Sequence, residues 1–62
     1  MDRDYAEKTL ASATASRDAA RATMNAARMG TKKWRDAEED LNFWQGKVAN
    51  MQAALRLIDE AR

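Results

Sequence analysis

Residues 34–58 read WRDAEEDLNFWQGKVANMQAALRLI, and the fold follows from the spacing of their bulky side chains. Trp34, Ala37, Leu41, Trp44, Val48, Met51, Leu55 and Ile58 recur in steps of three and four without a slip, the period that lays side chains along one stripe of an α-helix. Lys33, Glu38, Asp40, Gln45, Lys47, Gln52 and Asp59 border that stripe, as solvated residues border the seam of a coiled coil. Phe43 and Leu57 lie off it, on a second stripe with Asn50, Ala54 and Ala61. Two large residues there suggest a second contact surface, although single exposed apolar residues are ordinary.

Working back from Trp34, the strong punctuation is Gly30, one of two glycines in a chain without proline. Gly30 suits the left-handed conformation that ends a helix, and the Thr31 hydroxyl suits the cap of the next one. A tight turn is predicted over Met29 to Lys32. The first helix is expected to start near Asp4, where the Asp4 to Glu7 spacing follows capping-box logic. The reading is an all-α fold: one antiparallel two-helix hairpin over residues 1–62, with helices at about 4–28 and 32–61, about 37 and 45 Å long at ~1.5 Å per residue.

The first helix has a broad face of small residues: Thr9, Ser12, Ala13, Ser16, Ala19, Ala20, Thr23, Ala26 and Ala27. Folding at Gly30 sets Trp34 near Ala26 and Ala27, Leu41 near Ala19, Trp44 near Ser16, Val48 near Ser12 and Ala13, and Leu55 near Tyr5. Large residues then meet small ones, as dense packing requires. Arg3, Glu7, Asp18, Arg21, Asn25 and Arg28 fall on the opposite side, toward solvent.

A chain of 62 residues holds one thin core, since a domain of about that size buries only about 60% of its unfolded surface. With no Cys and no His, disulfides and the usual zinc sites cannot reinforce it. Two helices also cannot enclose a seam of large residues, so oligomerisation or docking on a larger assembly is expected to complete the fold. The protein interface is therefore assigned to Trp34, Leu41, Trp44, Val48, Met51, Leu55 and Ile58, with Phe43 and Leu57 as further candidates, and the turn to Gly30 and Thr31. Trp44→Ala is expected to cost about 3–5 kcal/mol and to abolish assembly.

Eleven basic and ten acidic residues give a net charge of +1, without the basic field that non-specific nucleic-acid binding uses. Nucleic acid is not favoured. Apolar runs fall far short of the roughly 20 residues that span a bilayer, and no leader-like segment opens the chain. The expectation is a soluble protein without signal peptide or transmembrane segment, cytoplasmic or incorporated in a virion.

No catalytic constellation is visible, because His and Cys are absent and the serines lie on an alanine-like face with no base in the pattern. Glu38, Glu39 and Asp40 are consecutive, so a helix splays them apart and a solvated face is preferred to a metal site. No enzyme activity, cofactor or metal is expected. Lys32, Lys33 and Arg35 cluster where the helix dipole disfavours cations; contact with an acidic or phosphate-bearing partner and simple solvation both fit. Both indoles belong to the seam, so the aromatics form no stacking platform for bases.

Two resemblances attach to the second helix. Trp44-Gln45-Gly46 resembles the signature of small secreted WxG helical hairpins, in which the motif occupies the turn. Here the heptad runs straight through Gly46, so a continuous helix is predicted. Asp40-Leu41-Asn42-Phe43-Trp44-Gln45-Gly46-Lys47-Val48-Ala49-Asn50-Met51 resembles the last helix of small head-tail joining (connector) proteins of tailed bacteriophages, with an acidic start, an aliphatic-x-Phe-Trp centre and Val and Met in the next turns. That family places a short β-hairpin between helices, for which the turn at Gly30 leaves no room. The resemblance implies a structural component of a virion. The alternative is a homodimeric four-helix-bundle regulator or adaptor that binds RNA or another protein.

Overall fold

The computed structural model describes residues 2–61. Two antiparallel helices, α1 over Arg3–Ala26 and α2 over Lys32–Glu60, pack along their length as a rod 47 × 14 × 13 Å. No strand occurs among the described residues, so the all-α hairpin read from the sequence is the fold. Gly46 lies inside α2, as the unbroken heptad requires.

The turn is built differently from the sequence reading at one end and as expected at the other. α1 stops at Ala26, and Ala27 is already extended (φ −93°, ψ 151°), its N–H donating to the carbonyls of Thr23 at 3.1 Å and Met24 at 3.2 Å. Gly30 is thus not the residue that ends α1. It is the third residue of a β-turn closed by Thr31 N–H donating to the Arg28 carbonyl at 3.2 Å, and its φ of +87° is the only positive value among the described residues. A turn with positive φ at that position alone is type II, which selects glycine there. Thr31 then caps α2: its Oγ1 accepts from the Trp34 backbone N–H at 3.3 Å and donates to the Arg28 carbonyl at 2.7 Å. One hydroxyl ties the end of the loop to the start of the helix, a contribution of about 1 kcal/mol.

The start of α1 corrects the capping-box expectation. Asp2 is the N-cap residue and makes no side-chain cap bond. Glu7 does not reach back to a cap; its Oε1 accepts from Arg3 Nε at 2.9 Å, and Arg3 Nη1 also donates to Asp59 Oδ1 at the far end of α2. Arg3 therefore clasps the open end of the hairpin and is half-buried, not a free solvent-facing charge. Exposed pairs of this kind contribute at most about 1 kcal/mol.

Among the described residues the core is six side chains: Ala6, Ala13 and Ala20 from α1, and Ala37, Leu41 and Val48 from α2. The α1 trio is spaced by sevens, a seam of methyl groups that allows close approach of the leucine and valine ridge opposite. The sequence reading placed Ala13 and Ala20 correctly but missed Ala6. It also put Ser12, Ala19, Thr23 and Ala26 at the seam, whereas these four are exposed. The buried stripe is rotated toward Leu10, Arg17 and Met24, all half-buried. The larger side chains at 10 and 24 gain more from losing water than serine or threonine at 12 and 23, and that difference sets the rotation.

Candidate protein interface

The rotation of α1 leaves the seam with two unlike flanks. On one, Arg3, Leu10, Arg17 and Met24 follow each other at seven-residue spacing, each half-buried, starting from the residue paired with Asp59. On the other, the stripe of α1 beside the buried alanines is Tyr5, Thr9, Ser12, Ser16, Ala19 and Thr23. These small residues do not fill the space next to α2. Two grooves result, of about 690 and 260 Å³, and Trp44 lines both.

The larger groove runs toward the turn, between Ser16, Ala19, Ala20 and Thr23 of α1 and Lys33, Asp36, Ala37 and Asp40 of α2. The smaller runs toward the open end, between Tyr5, Lys8, Thr9 and Ser12 of α1 and Lys47 of α2. The Trp44 indole is a ridge across the middle of the open flank. Phe43 meets it edge-on, with ring centroids 4.9 Å apart and planes at 83°. Edge-to-face pairing suits the ring quadrupoles and contributes about 0.5–1.5 kcal/mol. It also fixes the outward-facing Phe43 ring, which is 60% exposed.

The interface residues read from the sequence therefore separate into three kinds. Leu41 and Val48 are buried against α1 within the chain, so they hold the hairpin together and are not available to a partner. Trp34, Trp44, Met51, Leu55 and Ile58 are half-buried; of these Trp44, with Met51 and Ile58 one and two heptads on, follows the open flank. Phe43 and Leu57 are exposed, the latter at 65%. Met29 in the turn is exposed as well, and Tyr5 borders the smaller groove. Nothing in the heptad pattern of α2 pointed to those two, because their exposure is set by the turn and by the rotation of α1.

Electrostatics add little chemistry. Lys32 Nζ donates to Asp36 Oδ2 at 2.7 Å, and that hydrogen bond, with the carboxylate charge, raises the pKa of this fully exposed lysine above its ordinary value. The pair places a carboxylate one turn from the cations that oppose the α2 dipole, which accounts for part of the Lys32, Lys33 and Arg35 cluster. Among the described residues no group of His, Cys, Asp or Glu is arranged to hold a metal ion, and no helix is long and apolar enough to cross a membrane. No protein-family model, curated protein or solved structure matches the chain.

Proposed function

We propose that the chain is a non-enzymatic structural or assembly protein that works by laying the open flank of its hairpin against neighbouring protein. One observation carries this reading: a tryptophan, Trp44, braced by Phe43, stands half-exposed between two grooves, while the same heptad of α2 is buried at Leu41 and Val48. Covering an indole and the Met51 and Ile58 rows yields about 25 cal/mol for each Å² of apolar surface removed from water. Tryptophan is also among the residues most enriched at the energetic centres of protein interfaces.

The most specific form of this reading is a small component of a phage particle, and its support is the resemblance of residues 40–51 to the last helix of head-tail joining proteins. A protein-binding regulator or RNA-binding adaptor is the rival, supported by architecture alone. Copurification separates them. The expected result is that the chain copurifies with assembled particles and that Trp44→Lys, still helical by circular dichroism, does not. A chain that instead shifts RNA at physiological salt, with no particle association, contradicts the assembly reading.

A further inference from the structure

We propose that the occupant of the open flank is a second copy of this chain, related by a two-fold axis that passes Ser16 of α1 and runs between Phe43 and Trp44 of α2. The inference deepens the assembly reading and rests on it. It starts from two charges that the chain itself does not pair. Asp40 lines the larger groove and Lys47 the smaller, on either side of Trp44. Among the described residues neither makes an ion pair. Within one turn of α2 the sequence offers them none: positions 36, 37, 43 and 44 flank Asp40, and 43, 44, 50 and 51 flank Lys47, with no opposite charge among them; Lys33 shares Asp40's groove two turns away, and Lys32 is held by Asp36.

A copy of α2 running antiparallel across the same face supplies both partners. With the axis between Phe43 and Trp44, Asp40 faces the second copy's Lys47 and Lys47 faces its Asp40, because an isologous contact makes each pairing twice. The α1 stripe cannot do this, since Tyr5, Thr9, Ser12, Ser16, Ala19 and Thr23 carry no charge that complements the pair.

The same axis suits α1. Trp44 lines both grooves, whose α1 walls meet between Ala13 and Ser16, and so lies close to the level of Ser16 on the rod. Reversal about that level sets Ser16 against its own copy, Ala13 against Ala19, Ser12 against Ala20 and Thr9 against Thr23. Small residues meet small ones from Thr9 to Thr23, and the two indoles fill the space those side chains leave at the centre of a four-helix bundle. A rod 47 Å long and 14 Å wide presents a face on the order of 700 Å², close to the ~800 Å² per partner of a standard stable interface.

Charge reversal tests the register directly, using the full chain and sedimentation equilibrium, with circular dichroism to verify helicity. The wild-type chain is expected to sediment as a dimer. Asp40→Lys alone and Lys47→Asp alone each set like charges against each other twice and are expected to weaken association at least about tenfold. An equimolar mixture of the two variants restores both pairings and is expected to dimerise like the wild type. Mixtures no tighter than the single variants overturn the register. A monomeric wild-type chain overturns the second copy as occupant; if that monomer still copurifies with particles through Trp44, the assembly reading stands without it.

Discussion

The two flanks of the α1–α2 seam face the same regular heptad in α2 and are closed to different degrees. On one, Arg3, Leu10, Arg17 and Met24 are long enough to cover it, and the Arg3–Asp59 pair clasps its end. On the other, serine, threonine and alanine leave grooves beside Trp44. A seam of large residues is therefore not by itself an interface. What makes part of it available is the size of the side chains across from it, and here α1 is large on one edge and small on the other.

Substitutions on the buried and the open side of the seam test that contrast. Leu41→Ala empties a buried position and is expected to destabilise the hairpin by about 2–4 kcal/mol in urea unfolding. Trp44→Ala in the dilute, unassociated chain is expected to cost less, about 1–2 kcal/mol, because the indole is only half-buried. This corrects the larger value expected from a fully buried seam, while the loss of association remains the expected outcome. Equal costs for the two in unassociated chains would erase the distinction between the flanks.

Smaller effects probe the ends and the backbone. Gly46→Ala is expected to stabilise the hairpin by about 1 kcal/mol, since a mid-helix glycine loses to alanine by that amount and an added Cβ meets nothing within 4 Å. A loss of stability there would revive the reading of Trp44-Gln45-Gly46 as a turn motif. Arg3→Ala removes only exposed pairs, and a loss within about 0.5 kcal/mol is expected; a larger one would mean that the closed flank depends on its clasp.

The hairpin, the continuous α2 and the Thr31 cap were legible in the sequence because Trp, Leu, Val, Met and Ile stand at a strict three-four spacing and Thr31 follows the one loop glycine. The register of α1 was not. Its two neighbouring stripes, 6-13-20 and 12-19-26, are both made of small residues, so periodicity cannot choose between them. The choice falls to Leu10 and Met24, two larger side chains on an otherwise polar edge. The end of α1 was hidden for a related reason: Ala27, Arg28 and Met29 are all good helix formers, and α1 stops at Ala26 because the type II turn at Gly30 and the Thr31 cap fix the chain from the far side. The open flank was legible only as a need for cover, since its location depends on that rotation.

Fluorescence quenching by acrylamide, recorded on the helical Trp34→Phe chain across a dilution series, reports on Trp44 alone. Protein covering the open flank predicts an indole that becomes steadily more protected as chain concentration rises, with the same protection reached only at about tenfold or higher concentration in the Asp40→Lys variant. An indole that stays open to quencher throughout, in a chain that nonetheless assembles, would contradict the claim that this flank is where the protein binds.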